Sequence, residues 1–288
     1  MRYTFAAMVA AATICSGTTP LPGTPECMIV DRVAALAGRT DPGAAGALEV
    51  LKRIGEGRAM DLSPDTESRL GLEPGRLHQA AFRIHEVRVC AIHRIGALAD
   101  DEALNYLKNL KQSDMEPDQT GYVWTAVQIA VREAELNRLP NEASRVLFLE
   151  DVTKDRSAAA WWAVQELCNR GSVPSLGYIR ESLARDYAGS PEYDRQMKFC
   201  EARISIIQRD PNRLKAIASV LTVAGGSTDQ QVLGWAINQL HDMDSPAADA
   251  EINRYAREID NLPAGSPMKA ALAWERLQIR NLPPHSPK

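Results

Sequence analysis

The sequence predicts an all-α fold, an α-solenoid of stacked antiparallel helix pairs, and three observations lead to this prediction. The 288 residues repeat about every 72 positions, and periods of this kind indicate stacked supersecondary units. Apolar residues recur at helical spacing within each unit, and no stretch has the alternation of a β-strand. Short turns rich in Asp, Asn, Gly and Pro separate the apolar segments, which is typical of antiparallel helices joined by short loops.

The repeat is clearest in three segments that begin at Ala91, Ala163 and Ala236. In each segment an Ile or Val follows the Ala directly, an Ile or Leu stands four residues on, and another stands 16 residues on. Between these segments a second motif recurs at intervals of 71 and 72 residues, with prolines at Pro140, Pro211 and Pro283.

The first part of the chain departs from this period. Residues 26–38 and 44–54 are predicted to form a divergent helix pair, followed by a connection at 55–75 that is rich in Gly, Pro and Ser. That connection is either a functional loop or a separator between this pair and a regular array at 76–280. The helices predicted for the array are 76–98, 101–112, 120–137, 141–152, 156–169, 173–187, 191–208, 211–223, 228–241, 246–261 and 266–280.

The array ends on a single helix, residues 266–280, followed by a Pro-rich tail at 281–288. A solenoid needs its last apolar face covered, so either this helix is itself the cap or a partner covers the face. We expect the helix to be the cap, because terminal repeats commonly depart from the repeat pattern.

Residues 1–17 have the features of a secretory signal peptide: a basic start, an uncharged apolar run and small residues at the cleavage position. The run is too short to span a bilayer, and no other segment is apolar enough to do so. Ile14 stands where lipidation of Cys15 would require a small residue. We therefore expect a periplasmic or extracellular protein without a lipid anchor, and a disordered leader at 18–25.

Net charge excludes one class of partner. The formal charge of −4 gives no overall attraction to nucleic acid, so we expect none to bind.

The cysteines left after export permit two disulfides in three possible pairings. Cys90 takes the place that Trp162 and Trp235 hold in the other repeats, so we interpret it as an unpaired packing residue, and likewise Cys168 beside Leu167. The four cysteines are Cys27, Cys90, Cys168 and Cys200.

The pattern of Ala, an apolar residue, a Leu or Ile, a small or acidic turn and a second apolar helix resembles HEAT-like repeats over residues 76–280. It is most similar to the short form known from phycobilisome lyases, although Asp249 stands where Leu104 and Leu176 are apolar. The resemblance implies a curved superhelix that acts as a scaffold for partners. It does not imply lyase activity, because the name belongs to the repeat rather than to a site.

Catalytic motifs are missing from the sequence, and we predict no catalytic residue, no metal site and no cofactor. The alternative is a metal-dependent or lyase-like enzyme with His78, His85 and Glu86 in its site. The predicted helix 76–98 places the two histidines on one face. A metal needs three or four convergent ligands, and the His-Glu pair occurs once in the array, so we interpret these residues as structural.

The predicted binding surface consists of one cation in the middle of each second helix. If second helices line one face of a solenoid, these cations form a basic ladder that suits an acidic peptide, the carboxylates of a partner protein or an anionic glycan. Acidic residues nearby leave open that the cations are ordinary solvated side chains. The five cations are Lys108, Arg145, Arg180, Lys215 and Arg254.

The leading hypothesis is therefore an exported, non-catalytic scaffold that binds a protein or an acidic peptide. A third hypothesis is a structural element of a larger envelope assembly, attached through its C-terminal end. Of the adjacent Trp161 and Trp162, helical geometry expects one to be partly exposed, and exposed tryptophan favours an interface.

Overall fold

The computed structural model describes residues 24–39, 46–117, 121–155, 157–187, 189–223 and 229–284. The predicted signal peptide, the leader up to residue 23 and the last four residues of the tail lie outside these ranges. The described residues form helices and connections and contain no strand, which confirms the all-α prediction. None of the helices among them is long and apolar enough to cross a membrane.

The chain divides into two compact units, Met1–Ala163 and Val164–Lys288. The first unit contains α1 (Pro25–Ala37), α2 (Ala47–Glu56), α3 (Pro64–Arg69), α4 (His85–Leu98), α5 (Asp101–Asn109), α6 (Tyr122–Asn137), α7 (Glu142–Val152) and the start of α8 (Ala158–Arg170). The second unit contains α9 (Ser175–Tyr187), α10 (Pro191–Ile207), α11 (Arg213–Val220), α12 (Gln230–Asp242), α13 (Pro246–Asp260), α14 (Pro267–Ala271) and α15 (Ala273–Arg280).

Capping residues in the sequence fix several helix starts. The hydroxyls of Ser190, Ser245 and Ser266 each accept a hydrogen bond from the backbone N–H three residues later, at 3.1 to 3.3 Å. A proline follows each of these serines at the first helical position, where its missing N–H costs nothing. The predicted starts of α10, α13 and α14 agree with this local chemistry to within a residue.

The predicted helix 76–98 is wrong over its first nine residues, because α4 begins at His85. The buried Glu67 carboxylate accepts hydrogen bonds from the backbone N–H groups of Gly75 and Leu77, the second at 2.7 Å. The ring of Phe82 is fully buried within a short 3₁₀ turn. These tertiary contacts hold the segment in a non-helical path despite its helical propensity.

The connection at 55–75 is part of the core of the first unit. It forms a 3₁₀ turn at Ala59–Asp61 and helix α3, and it buries Leu62, Leu70 and Leu72 in the apolar cluster around α1, α2 and α4. The segment therefore does not separate a cap from the following helices.

Arg88 of α4 joins three parts of the first unit. Its side chain is only 3 % exposed, and it donates to the carbonyl of Gly55 at 3.2 Å and to that of Glu116 at 2.9 Å. The Gly55 carbonyl belongs to the last turn of α2, where no further turn supplies a donor. Arg88 thereby supplies, from the interior of the unit, a hydrogen-bond donor for the C-terminal end of α2.

Two disulfides link helices that are distant in sequence. Cys27 of α1 pairs with Cys90 of α4, and Cys168 of α8 pairs with Cys200 of α10. The interpretation of Cys90 and Cys168 as unpaired packing residues is therefore wrong. It failed because the period shows which positions are equivalent, whereas pairing depends on which helices pack together, here α1 on α4.

Removing the Cys27–Cys90 disulfide should lower the stability of the first unit by about 3 to 4 kcal/mol, since the bond restricts a long stretch of the unfolded chain. The Cys27→Ser, Cys90→Ser variant and a Cys168→Ser, Cys200→Ser variant would be unfolded in urea beside the wild type. Sequence separations of 63 and 32 residues predict the larger loss for the first pair. Unchanged midpoints in both variants would contradict a stabilising role.

Candidate functional site

The five predicted binding cations are divided between the two units. Lys108 and Arg145 belong to the first unit, and Arg180, Lys215 and Arg254 belong to the second.

Lys108 is engaged in a network of charges on the first unit. Its Nζ lies 2.7 Å from a Glu135 oxygen, and Arg132 lies 2.9 Å from the other oxygen and 2.8 Å from Asp155. Burial by itself would raise the pKa of Glu135, but hydrogen bonds from Lys108 and Arg132 hold it below its usual value. The charge of Lys108 is thus compensated within the unit.

Arg254 is engaged by several groups of its own unit, although its side chain is 38 % exposed. It pairs with Glu251 at 2.7 Å and with Glu258, and its Nη2 donates to the carbonyls of Leu221 at 3.1 Å and Ala218 at 3.4 Å. Those carbonyls lie at the end of α11, so Arg254 completes a helix end as Arg88 does. Its position in the middle of α13 does not make it a solvated cation.

Arg145 is also engaged, since it lies 3.7 Å from Glu142 and donates to the carbonyl of Leu139 at 3.4 Å. Arg180 and Lys215 differ from the other three. Both are exposed, and neither forms an ion pair with any carboxylate in the described ranges. Of the predicted ladder, these two cations are the ones available to a partner.

The histidines of the alternative site do not converge. His78 precedes α4, and its Nε2 lies 3.0 Å from the carbonyl of Leu62. His85 opens α4, with its Nε2 3.2 Å from the adjacent Glu86 and its ring against Tyr122. The expectation that His78 and His85 share a helix face is wrong, because residues 76–84 are not α-helical. Within the described residues, no three His, Cys, Asp or Glu side chains form a group that could hold a metal ion.

A groove of about 470 Å³ with several polar side chains in its lining lies between α2 and α5 in the first unit. Its main polar groups satisfy one another: Lys52 lies 2.8 Å from Glu102, and the Tyr106 hydroxyl donates to Glu56 at 3.0 Å. Burial and the Glu56 carboxylate both raise the pKa of Tyr106, so this hydroxyl remains a donor. A ligand would have to displace these internal contacts, which makes the groove a weak candidate.

An exposed apolar surface lies at the C-terminal end of the second unit. Trp274 is 49 % exposed and Leu277 is 54 % exposed, and the two stand one helical turn apart on α15. Ala273 on the same helix and Ala270 just before it are exposed as well. We call Ala270, Ala273, Trp274 and Leu277 the C-terminal apolar face.

Two polar contacts fix the helix that carries this face. Arg276 forms two parallel hydrogen bonds with Asp260 of α13, both at 2.8 Å. Gln278 donates to Asn238 of α12 at 3.0 Å. The hydrogen bond from Arg276 keeps the pKa of Asp260 below its usual value, so this carboxylate stays ionised at moderate pH while α15 is docked. Helix α15 is therefore oriented from both sides.

The Trp274 ring rests on Gly234 of α12. A Cβ atom at position 234 would lie 3.3 and 3.5 Å from two carbon atoms of the ring and 3.2 Å from the Gln278 amide oxygen. The glycine thus lets the ring lie close against α12 with its other side open to solvent. An exposed tryptophan with restricted motion loses little conformational entropy on binding.

The outward side of α15 itself carries no carboxylate, and the nearby exposed Asp260 of α13 is paired with Arg276. Glu275 is the only acidic residue of α15, and it is fully buried, whereas Arg280 is exposed at the end of the helix. The outward side of α15 thus offers apolar side chains and a cation but no carboxylate.

Sequence reasoning placed residues 266–280 in one helix that caps the array, and it did not predict the exposed face. The helix breaks at Leu272, and α15 does pack on α12 and α13. Helical spacing could have predicted this face, because it places Trp274 and Leu277 on one side of the helix and Glu275 on another. The prediction for the other tryptophans is met: Trp162 is buried and Trp161 is partly exposed.

No protein-family model matches the chain, and searches of curated proteins and of solved structures found no match either.

Replacing Gly234 with Ala tests the contact that positions Trp274. Glycine-to-alanine changes inside helices usually stabilise by about 0.5 to 1 kcal/mol. Gly177→Ala in α9 should show this gain, because nothing lies within 4 Å of a Cβ at that position. Gly234→Ala should lack it and should move the indole. Thermal unfolding and acrylamide quenching would measure the two effects, and equal gains in both variants would argue against the contact.

Proposed function

We propose that this protein is an exported, non-catalytic scaffold that binds a partner protein through the C-terminal apolar face. The observation that carries the proposal is the half-exposed Trp274 on a helix fixed from two sides. Tryptophan is enriched among the residues that dominate protein–protein binding energy, and contiguous exposed apolar side chains on folded proteins mark interaction surfaces. Burying apolar area of Trp274 and Leu277 in a complex contributes about 25 cal/mol per Å².

The chemistry of the face supports a partner helix with an apolar stripe bordered by carboxylates. Apolar residues one turn apart match the spacing by which amphipathic helices bind. Arg280 beside the face, and the exposed Arg180 and Lys215 in the same unit, favour acidic groups on the partner. The partner is thus an acidic amphipathic segment, in keeping with the expectation from the sequence.

Two features support export and a repeat architecture. The disulfides are of the kind that persists in oxidising compartments, which fits a periplasmic or extracellular protein with a cleaved signal peptide. Helices that pack on both the next helix and the next but one, as α11 does on α12 and α13, are expected of the HEAT-like solenoid proposed here. The alternative of a metal-dependent or lyase-like enzyme gains no support from His78, His85 and Glu86, whose side chains do not converge.

Removing the two large side chains of the face should strongly weaken partner binding. The mature chain from residue 18 would carry a photo-crosslinking amino acid at position 281, and the crosslinked partner would be purified and titrated. Trp274→Ala, Leu277→Ala should weaken affinity at least 100-fold, since truncating a tryptophan at an interface centre costs about 2 kcal/mol or more and the leucine adds its buried apolar area. Val173→Ala is the matched control, because Val173 is 63 % exposed and lies outside the face. Equal affinity of both variants, each with wild-type melting, would refute the proposal.

Charge reversal separates available cations from engaged ones. Arg180→Glu, Lys215→Glu should reduce the partner association rate several-fold at low salt and leave thermal stability unchanged, because neither residue forms an ion pair in the described part of the chain. Lys108→Glu should instead lower stability, because it would set two carboxylates together at Glu135. Stopped-flow binding at two salt concentrations and thermal melting would check both. Early melting of the double variant would mean that Arg180 and Lys215 are structural.

A further inference from the structure

Glu275 lies on the inner side of the helix that carries the C-terminal apolar face. Its side chain is 0 % exposed, and neither carboxyl oxygen accepts a hydrogen bond from another residue in the described ranges. Its surroundings include Tyr255 of α13, which is also fully buried and whose hydroxyl lacks a hydrogen-bond partner among the described residues. Arg195 of α10 is the charged residue that acts on both groups.

The environment favours the neutral form of Glu275. Burial raises its pKa above the ordinary value of 4.5, while its own backbone N–H and the charge of Arg195 oppose the rise without cancelling it. Burial and the Glu275 carboxylate likewise raise the pKa of Tyr255, so the phenol stays protonated. An ionised carboxylate without donors is among the most costly groups to bury, whereas a carboxylic acid is much less costly.

We propose that Glu275 is a pH-sensitive latch for α15: its neutral form holds the helix against α12 and α13, and its ionisation releases the helix. The proposal rests on the proposed function only for the consequence, which is that the C-terminal apolar face is presented in one orientation at acidic pH and becomes mobile as the pH rises. The release itself is a property of the isolated protein.

The direction follows from the two states of the helix. In the released state Glu275 is in water and ionises at its ordinary pKa of 4.5, whereas in the docked state its pKa is higher. Between these two pKa values the docked state binds more protons than the released state. The equilibrium constant for docking therefore falls as the pH rises, by up to about tenfold per pH unit. Above the pKa of the docked state, the stabilisation that the neutral carboxyl gives to the docked helix is lost in full. Below pH 4.5 this stabilisation is fully present.

Other charged groups around α15 do not account for such a response. Asp260 of α13 pairs with Arg276, and its lowered pKa places its titration below the range concerned. Glu258 of α13 pairs with Arg254, and Lys269 before α15 donates to the carbonyls of Asp260 and Leu262. On α12, His241 follows Gly234 and Asn238 on the same side of the helix, so a variant at this position serves as a control.

Amide hydrogen exchange of residues 273–280 between pH 5 and pH 8, corrected for intrinsic exchange rates, measures the release directly in the full mature chain. The opening constant of wild-type α15 should increase with pH over this range, while that of α12 stays constant. Glu275→Gln keeps the shape of the side chain without an ionisable proton, and it should show a flat opening constant close to the wild-type value at pH 5. His241→Gln should retain the wild-type slope.

A flat wild-type profile, a slope that Glu275→Gln retains, or a slope that His241→Gln removes would each overturn the latch. These results do not depend on a partner, whereas the proposed function fails only if Trp274→Ala, Leu277→Ala leaves partner affinity unchanged. The failure of one is therefore distinguishable from the failure of the other.

Discussion

Arginines that bind the free carbonyls at helix ends join helices within each unit. The last turn of a helix lacks donors for its carbonyls, and a buried end without a partner is costly. Arg88 supplies the donor at the end of α2, and Arg254 supplies it at the end of α11. Arg195 adds a bond to the carbonyl of Thr222 just beyond α11. Short helices packed side by side place many such ends in the interior, and a positive charge there also suits the helix dipole.

This requirement explains why a cation in the middle of a helix is a poor guide to a binding surface. Arg254 fits the predicted ladder by position, yet its guanidinium turns back to α11 and to two carboxylates on its own helix. Arg180 has the same placement in a helix pair and is exposed. The difference lies in which carbonyls come within reach, and that depends on packing between helices rather than on local sequence.

Helix positions were the most predictable part of this protein, because caps and turns are local signals. Ser245 with its following proline starts α13 where the sequence indicates. Failures occurred where distant residues decide the outcome: Glu67 holds residues 75 to 77 out of a helix, and α1 brings Cys27 to Cys90. Of the candidate site, Arg180 and Lys215 were predicted, whereas the exposure of Trp274 depends on contacts that the repeat does not encode.

Helix α15 reverses the usual distribution of residues on a surface helix. Its buried side carries the carboxyl of Glu275, and its exposed side carries Trp274 and Leu277. A helix that only closed the end of an array would be most stable with an apolar residue at 275 and polar residues at 274 and 277. Local choices that oppose the stability of the fold are expected at functional sites, where another requirement selects them. Exposed apolar side chains suit a surface that a partner covers. A buried carboxyl group suits a helix that must also be able to dissociate from its neighbours. Both departures fall on the same eight residues, so the proposed binding face and the proposed release belong to one element.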